Sequence, residues 1–299
     1  MSGFARQAGR ILEAIKFQHS VFALPFALTG ALLAIRGTSL QAGELAWKLA
    51  WIAVSMVAAR SAAMAFNRLV DASIDARNPR TAARALPAGE LSKRFTAWFV
   101  ASASALLVFA AWQLNPLCLQ LSPVALALAL GYSYTKRFTS LSHLVLGCVL
   151  GAAPVAAWIA IRGSFDPVIL YLAAAVTLWT AGFDIIYSCQ DVEFDRKAGL
   201  HSIAAHLGVR NALLVSRALH SGMVVLLALA WRALDLQLLA LGGVLAVAAL
   251  LVYEQSLVRS DDLSRVNAAF FAVNGWVSVL FFASWAADIW LAVSVPLSL

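Results

Sequence analysis

The chain has 299 residues, of which 62% are hydrophobic and only 12% are charged, and its mean hydropathy is +0.82. About a quarter of the residues of a typical soluble domain are charged, so this composition excludes a soluble globular protein and predicts that lipid covers most of the surface. The net charge of +7 does not indicate nucleic acid binding, because basic residues accumulate on the cytoplasmic side of membrane proteins. The cysteines and histidines lie scattered and form neither a metal-binding spacing nor a disulfide framework.

Long apolar segments follow one another along the whole sequence. A membrane-spanning helix needs about 20 apolar residues, and nine segments meet this requirement. We therefore expect an all-α, polytopic membrane protein that forms a single domain over residues 1–299 and has no removable signal peptide. The nine expected spans cover approximately 19–36, 45–67, 95–113, 116–134, 142–161, 167–187, 211–231, 236–257 and 268–293.

The basic residues are divided unevenly between the two sides of these spans. With a cytoplasmic N-terminus, 17 of the 22 Lys and Arg residues fall on the cytoplasmic side, four fall on the other side, and Arg60 lies within a span. This asymmetry predicts the orientation. It places the two most charged stretches, 67–92 and 184–199, together on the cytoplasmic side, and it suits a bacterial inner membrane protein.

The first charged stretch has a helical register. Asn67, Asp71 and Asp75 follow one another at intervals of one turn, and Arg60 lies two turns before Asn67 on the same face. One helix stripe therefore carries a cation, an amide and two carboxylates. Ionisable groups in a membrane segment are costly and normally face a cavity.

The second charged stretch repeats this spacing. Asp184, Asp191 and Asp195 are separated by seven and then four residues, with Tyr187 one turn before Asp191. Two helices that each carry carboxylates one turn apart offer several hard oxygen ligands. Mg²⁺ suits such a set, because it uses one or two carboxylates together with substrate phosphate and water. The alternative, that these are solvated carboxylates at helix ends, is weakened because two clusters occur in register on one side.

The motifs resemble those of a known family. The segment NRLVDASIDARNPRT, continued by RALPAGELS, resembles the first motif of the UbiA superfamily of intramembrane prenyltransferases, in its 4-hydroxybenzoate polyprenyltransferase-like branch. The segment DIIYSCQDVEFDRKAGLHS resembles the second motif, DxxYxxxDxxxD with a trailing GxxS. The segment YSYTKRFTSLSHLVLG is similar to the region between them.

The resemblance implies a helical bundle around a central cavity, which is capped by two cytoplasmic loops. It implies catalytic roles for Asp71, Asp191 and Asp195, with Asp191 assisting deprotonation of the acceptor. The implied Mg²⁺ ligands are Asn67, Asp71, Asp75, Asp191 and Asp195. The implied diphosphate-binding residues are Arg80, Arg84, Lys136, Arg137 and Lys197. The residues expected at the cavity and acceptor site are His19, Arg60, Tyr134, Asp184 and Tyr187.

The expected activity is transfer of a polyprenyl group from an allylic polyprenyl diphosphate to an aromatic acid in quinone biosynthesis. The acceptor stays open between 4-hydroxybenzoate, as in ubiquinone biosynthesis, and a dihydroxynaphthoate, as in futalosine-route menaquinone biosynthesis, because HSVFALPFAL resembles the start of a related group. Arg137 has an alternative role as the partner of an acceptor carboxylate. A carrier that uses intramembrane Asp residues is a further alternative. The position of the carboxylates at helix ends rather than at the midplane argues against it.

Overall fold

The computed structural model of the protein describes residues 3–14 and 24–294, which are helical apart from short connections and one isolated bridge between Arg259 and Asp262. The helices are α1 (Gly3–Ala14), α2 (Leu24–Ile35), α3 (Ala42–Asp75), α4 (Lys93–Leu114), α5 (Pro116–Thr135), α6 (Ser142–Arg162), α7 (Leu170–Ser188), α8 (Val192–Ala198), α9 (Ile203–Leu207), α10 (Val209–Ala233), α11 (Leu238–Leu257) and α12 (Asn274–Ser294). Two 3₁₀ turns cover Pro167–Ile169 and Cys189–Asp191, and a π-helical turn, the π turn below, covers Ala268–Val273.

The expected all-helical, multi-pass membrane fold is confirmed. Within the described ranges, eight helical segments are long and apolar enough to cross a membrane, and α2 is a shorter apolar helix. Part of the predicted span 19–36 lies outside the described residues, so the structure gives only the α2 portion of that span. Helix α3 begins at Ala42 and ends at Asp75, beyond both ends of the predicted span 45–67. Its last turns can be polar because they face a protein cavity instead of lipid.

The long helices pack as a ring. Helix α6 contacts α2 and α7, α7 contacts α10, α10 contacts α11, and α11 contacts α12, which returns to α2 and closes the ring. Helices α3, α4 and α5 form a second group that packs on α6. The site described below lies where this second group meets α6 and α7.

Small residues and aromatic rings determine how closely the helices approach. A Cβ atom at Gly147 would lie 2.3 Å from the Thr177 carbonyl oxygen, and one at Gly30 would lie 2.4 Å from that of Pro154, so α6 contacts α7 and α2 backbone to backbone. Such small-residue contacts are characteristic of helix pairs in membranes. In the core, Phe26 stacks on Phe281 with ring centroids 4.8 Å apart.

Polar side chains cap the helix ends remote from the two motifs. Arg162 Nε donates to the Ala34 carbonyl at 2.6 Å, and Arg36 Nη1 donates to the Leu234 carbonyl at 2.6 Å. Cations at helix C-termini satisfy carbonyls that lack intrahelical partners and complement the helix dipole. This end of the bundle is therefore closed by structural contacts.

The opposite end carries the charged connections. The segment 76–92 folds as a series of turns, and its side chains Leu86 and Leu91 pack in an apolar cluster with Ile11 of α1. Gln7 of α1 bridges this segment by donating to the Glu90 carbonyl and accepting from the Ser92 amide. Helix α1 thus fastens the segment that follows α3 and fixes where its side chains point.

The second motif does not lie on one regular helix. Helix α7 ends at Ser188, a 3₁₀ turn covers Cys189–Asp191, and α8 begins at Val192. Ser188 Oγ donates to the Ile185 carbonyl at 2.8 Å, and such side-chain bonds compete with the regular helical pattern. Asp191 consequently lies at a bend, and Asp195 lies on a separate short helix.

Candidate active site

A single cavity of about 330 Å³ collects the polar residues of both motifs. Helices α3, α5, α6, α7 and α8 and the π turn contribute to its walls. The charged residues that line it are Arg60, Arg68, Asp71, Asp75, Arg80, Arg84, Lys136, Asp184, Asp191 and Asp195. The apolar and aromatic residues that line it include Met64, Ile74, Tyr132, Leu146, Leu150, Phe183, Tyr187, Phe194, Phe270 and Phe271. The cavity is thus charged where the motifs meet and apolar elsewhere.

The last two turns of α3 present the first group of ligands. Asp71 is 2% exposed, and its Oδ2 atom accepts from Asn67 Nδ2 at 3.0 Å and from Lys136 Nζ at 2.6 Å. Arg137 lies farther away, with Nη2 3.5 Å from Asp71 Oδ1. The helical spacing that the sequence shows therefore brings Asn67 and Asp71 into direct contact, as expected for residues one turn apart.

Asp75 ends α3 and is held by the segment that follows it. Arg84 Nη1 donates to both of its carboxylate oxygens, at 2.8 and 2.9 Å. Arg68 lies at the longer distance of 4.0 Å, and the Thr81 hydroxyl donates to the Asp75 backbone carbonyl at 3.0 Å. The chain therefore turns back over the end of α3 and places Arg84 against the cavity.

Asp191 joins the two motifs. Arg80 contacts both of its carboxylate oxygens, with Nε 2.9 Å from Oδ1, and Asn78 Nδ2 donates to the same Oδ1 atom at 2.9 Å. Arg80 also donates to the Tyr187 hydroxyl at 2.9 Å. Burial alone would lower the pKa of Arg80, but its bonds to Asp191 and Tyr187 outweigh burial and raise that pKa above its ordinary value. Arg80 therefore remains a fixed positive charge between the motifs.

Asp184 and Asp195 have neutral partners. His143 Nδ1 lies 2.6 Å from Asp184 Oδ2, and His143 Nε2 accepts from the Ile203 backbone amide at 3.4 Å. Since Nε2 accepts, this arrangement assigns the ring hydrogen to Nδ1, which donates to Asp184. Ser202 Oγ donates to Asp195 Oδ2 at 3.0 Å. The connection after α8 thus orients both carboxylates.

The cavity is close to charge balance. Five carboxylates and five basic side chains line it, and most of them are paired with one another in the contacts above. A diphosphate together with divalent cations brings both signs of charge into such a site at once. The carboxylates can then contact metal while the basic groups contact phosphate oxygens, which they bind through strong charge-assisted hydrogen bonds.

Arg60 differs from the other cations. It lies 11 residues before Asp71 on α3, about 16 Å along the helix axis. Its Nε atom is buried and has no hydrogen-bond partner among the described residues, and no carboxylate of the described ranges forms an ion pair with it. A partly buried guanidinium without an anion is costly, so Arg60 marks a place in the cavity that suits an anionic group.

The fold and these motifs agree with the comparison to known proteins. Residues 23–295 match the UbiA prenyltransferase family. The chain belongs to this family. It is therefore a membrane enzyme of the prenyltransferase class, and the carrier alternative is set aside.

Individual relatives support the assignment. The chain is 33% identical over 224 residues to a 4-hydroxybenzoate octaprenyltransferase of Tolumonas auensis, an alignment that covers 75% of this chain and 78% of the relative. It is similar to an apo structure of a UbiA homologue from Aeropyrum pernix K1, with a TM-score of 0.82 and 37% identity over 91% of this chain and 98% of that one. A UbiA homologue from Archaeoglobus fulgidus bound to GPP and Mg²⁺ shares the fold, with a TM-score of 0.72 and 20% identity over 94% and 99% of the two chains.

The donor set of this UbiA-family site fits Mg²⁺. Among the described residues, no group of three or more His, Cys, Asp or Glu side chains stands ready to hold a metal alone. Mg²⁺ does not require such a cage, because it takes one or two carboxylates and completes its shell with phosphate and water. The carboxylates around the cavity supply this kind of partial shell, on Asp71 and Asp75 of one motif and on Asp191 and Asp195 of the other.

Most of the predicted site residues line the cavity, and three of the described ones do not. Arg137 contacts Asp71 from outside the lining and also donates to the Val70 carbonyl. Tyr134 is 42% exposed and stacks edge-on with Phe66, while Lys197 is exposed on α8. His19 lies outside the described residues. The roles assigned to individual side chains stay predictions.

Several contact residues escaped sequence reasoning. Tyr132, two residues before Tyr134, is the tyrosine of α5 that lines the cavity, because side chains two positions apart lie on different faces of a helix. Asn78 and His143 belong to neither series of regularly spaced polar residues, so no spacing identifies them as site residues. Ser202 had a signal, since it is the serine of the trailing GxxS that follows the second motif.

Proposed function

We propose that the protein transfers a polyprenyl group from an allylic polyprenyl diphosphate to an aromatic acid, 4-hydroxybenzoate or a related hydroxy-aromatic acid, in quinone biosynthesis. The observation that carries this proposal is the division of one cavity into a paired, charged end and an apolar body that contains the unpaired Arg60. The charged end suits a metal diphosphate, the apolar body suits a prenyl chain, and Arg60 suits a carboxylate. The relatives named 4-hydroxybenzoate octaprenyltransferase support the same acceptor class.

Binding of the donor requires an exchange of partners. Lys136, Arg84 and Arg80 would leave Asp71, Asp75 and Asp191 and contact phosphate oxygens. The released carboxylates, with Asn67 and Asp195, would hold Mg²⁺. When bound, Mg²⁺ supplies Lewis-acid stabilisation of the charge that develops on the leaving diphosphate. Each motif thus contributes to departure of the same leaving group.

The apolar walls protect the reactive prenyl group. Phe183, Phe270 and Phe271 line the cavity together with Tyr187. An allylic cation needs a site from which water is excluded, and aromatic faces attract cations through their quadrupoles. These side chains would therefore shield the cation until the acceptor ring attacks it.

Arg60 and Asp191 would act on different groups of the acceptor. Arg60 would bind the acceptor carboxylate and so orient the ring towards the prenyl group. Asp191 would assist loss of the hydroxyl proton, once Arg80 has turned to the diphosphate. In this scheme, His143 keeps Asp184 oriented beside the reacting groups.

The proposed location is the inner membrane of a bacterium, with the N-terminus and both motifs on the cytoplasmic side. The excess of basic residues on that side supports this orientation. Water-soluble aromatic acid and diphosphate product would then exchange with the cytoplasm, while the prenyl chain enters from lipid.

Product identification tests the proposal. Purified protein in lipid nanodiscs is incubated with a polyprenyl diphosphate, Mg²⁺ and equal amounts of 4-hydroxybenzoate and a dihydroxynaphthoate, and the products are identified by mass. We expect the mass of prenylated 4-hydroxybenzoate to dominate. A product formed only from the dihydroxynaphthoate would reassign the acceptor to futalosine-route menaquinone biosynthesis, and the absence of any prenylated acid from folded protein would reject the proposal.

A further inference from the structure

Phe183, Tyr187, Phe270 and Phe271 form an aromatic wall of the cavity. A group of buried polar side chains lies behind this wall. Glu254 of α11 and Asn274 of α12 are both 0% exposed, and Asn274 Nδ2 donates to Glu254 Oε1 at 2.7 Å. Asn274 Oδ1 accepts from Trp179 Nε1 at 2.6 Å. None of these three residues lines the cavity, so the sequence motifs and the proposed chemistry leave them unused.

Asn274 also holds the π turn that precedes it. Its Nδ2 atom lies 3.1 Å from the Ala269 carbonyl oxygen and 3.3 Å from the Phe270 carbonyl oxygen. Both carbonyls belong to the π turn, where the regular helical hydrogen-bond pattern is interrupted. Buried backbone groups need partners, and the Asn274 side chain provides one.

The π turn presents two consecutive aromatic residues to the cavity. Phe270 and Phe271 both line it, and the Phe270 ring lies 4.3 Å from the Tyr187 ring, centroid to centroid. Tyr187 in turn accepts a hydrogen bond from Arg80, which holds Asp191. The buried polar group is therefore connected through the aromatic wall to the charged end of the site.

The free-energy cost of burying these polar side chains suggests that they serve a function. A carboxyl group within a membrane bundle is expensive, and well-packed apolar residues often replace buried polar groups without loss of stability. One carboxyl oxygen of Glu254, Oε2, has no hydrogen-bond partner among the described residues. Single π turns within helices occur frequently at functional sites.

We propose that Glu254 and Asn274 are positioning residues, which hold the π turn so that Phe270 and Phe271 shield the allylic cation from water. The inference rests on the proposed function. Asn274 acts on the turn directly, and Glu254 acts by fixing the Asn274 amide against Trp179.

The inference predicts a change of product. In normal transfer, the bond between the prenyl carbon and the diphosphate oxygen breaks with both electrons leaving on the diphosphate. An acceptor ring carbon then bonds to the cation and loses its proton. If the wall is displaced, water enters, its oxygen adds to the cation and loses a proton, and the product is a prenyl alcohol.

Three variants of the full chain test this inference, with Mg²⁺, a polyprenyl diphosphate and 4-hydroxybenzoate as substrates. Asn274→Ala and Glu254→Met remove the polar contacts, whereas Ser284→Ala is the matched control, because its hydroxyl bonds within α12 to the Phe281 carbonyl. We expect both test variants to raise the ratio of prenyl alcohol to prenylated acid about fivefold, which corresponds to roughly 1 kcal/mol in the competition between water and acceptor. Ser284→Ala should retain the original ratio.

Two further measurements separate positioning from general stability. Glu254→Gln keeps an oxygen for Asn274 and should retain the normal product ratio. Phe270→Leu should itself raise the alcohol fraction, and adding Asn274→Ala to it should change the ratio little further, because both substitutions act through one wall.

The outcomes distinguish this inference from the proposed function. If the unaltered protein forms prenylated acid but Asn274→Ala and Glu254→Met keep its product ratio while only lowering the melting temperature, the two residues are structural and the inference is overturned. If Asn274→Ala does not fold, the product ratios of Glu254→Met and Glu254→Gln are compared instead. A ratio raised only in Glu254→Met supports the inference, and equal ratios overturn it. If the unaltered protein forms no prenylated acid, the proposed function fails first.

Discussion

At the scale of single residues, the carboxylates of the site are distinguished by their partners. Asp71, Asp75 and Asp191 each contact a basic side chain, at distances that include 2.6 Å to Lys136 and 2.8 Å to Arg84. Asp184 and Asp195 instead contact the neutral groups of His143 and Ser202. In the proposed function, the first set would exchange its cations for metal and diphosphate, whereas Asp184 and Asp195 have no basic partner to release.

The carboxylates of the two motifs should be essential for transfer. We expect Asp71→Asn and Asp191→Asn each to lower the transfer rate by about 100-fold or more, as for other losses of preorganised electrostatic stabilisation. Asp166→Asn is the control, because Asp166 caps a 3₁₀ turn at the remote end of the bundle. Initial rates and melting temperatures of all three proteins check this expectation. Full activity of both motif variants would remove the site assignment while leaving the family assignment intact.

Arg60 should determine selection of an acidic acceptor. In Arg60→Met, we expect the KM for 4-hydroxybenzoate to rise about 10- to 100-fold, the range expected when a hydrogen bond to a charged group is lost. The KM for the polyprenyl diphosphate should change little. The variant should also lose the preference for the acid over its methyl ester. The control Arg162→Met should keep the preference for the acid over its ester. If Arg60→Met also keeps that preference, another residue binds the carboxylate.

Residue spacing explains which site residues the sequence could reveal. Asn67, Asp71 and Asp75 repeat at one-turn intervals, so their common face can be read directly. The Asp184–His143 pair depends on how α6 packs against α7, which no local pattern encodes. Tyr134 was chosen where Tyr132 lines the cavity, because the resemblance identifies the segment but does not fix which face of α5 turns inwards.

At the scale of helices, close packing of α6 on α7 sets the geometry of the site. Gly147 lies one turn after His143, and a Cβ atom there would meet the Thr177 backbone at 2.3 Å. The His143–Asp184 contact therefore depends on a glycine that permits this approach.

A pair of glycine substitutions tests this dependence. Gly147→Ala should destabilise the protein by about 1–3 kcal/mol, the usual cost of overpacking, and should reduce activity by shifting His143 from Asp184. Gly131→Ala on α5 is the matched control, because a Cβ atom there meets nothing within 4 Å and alanine favours the helix by about 0.5–1 kcal/mol. Thermal unfolding and transfer rates report both effects. Equal behaviour of the two variants would contradict the packing argument.

The buried Glu254 carboxyl should be replaceable with a gain in stability. His220 Nε2 lies 3.3 Å from the Trp179 carbonyl, which assigns its hydrogen to Nε2, and Nδ1 accepts from Gln255 at 3.1 Å. Glu254 Oε2 lies 3.7 Å from that Nδ1 atom and has no hydrogen-bond partner among the described residues. In Glu254→Gln an uncharged amide replaces the buried carboxyl group and keeps an oxygen for Asn274, so we expect a higher melting temperature. A clear decrease would show that the carboxyl group itself is required for folding.

Helix boundaries can be predicted where an apolar segment gives way to a polar connection. A break in a helix cannot be predicted in this way when the apolar composition continues through it. The sequence predicted α4 and α6 closely, since charged or glycine-containing connections flank them. The 3₁₀ turn at Cys189–Asp191 and the π turn at Ala268–Val273 interrupt helices inside otherwise regular composition. Side-chain hydrogen bonds accompany both breaks, of Ser188 within its own helix and of Asn274 on the π turn, and spacing alone does not show them.

At the scale of the whole molecule, composition was sufficient to predict a multi-pass helical bundle, but the orientation stays a prediction. In a variant without Cys118, Cys148 and Cys189, single cysteines are introduced at exposed positions as Ala88→Cys, Glu193→Cys and Ser164→Cys. A membrane-impermeant thiol reagent added to intact spheroplasts should label only Ser164→Cys. All three sites should react after lysis. Labelling of Ala88→Cys in intact spheroplasts would reverse the orientation.

The central claim is that both motifs act on one diphosphate in a metal-dependent transfer. Its most direct test measures diphosphate release and prenylated acid together, in a purified preparation supplied with a polyprenyl diphosphate and 4-hydroxybenzoate, with and without Mg²⁺. We predict that the two products form in equal amounts, that both disappear when a chelator removes the metal, and that Asp71→Asn or Asp191→Asn alone lowers the formation of both by about 100-fold or more. Transfer that continues without divalent metal, or that keeps its full rate after the loss of either motif's carboxylate, would contradict the account.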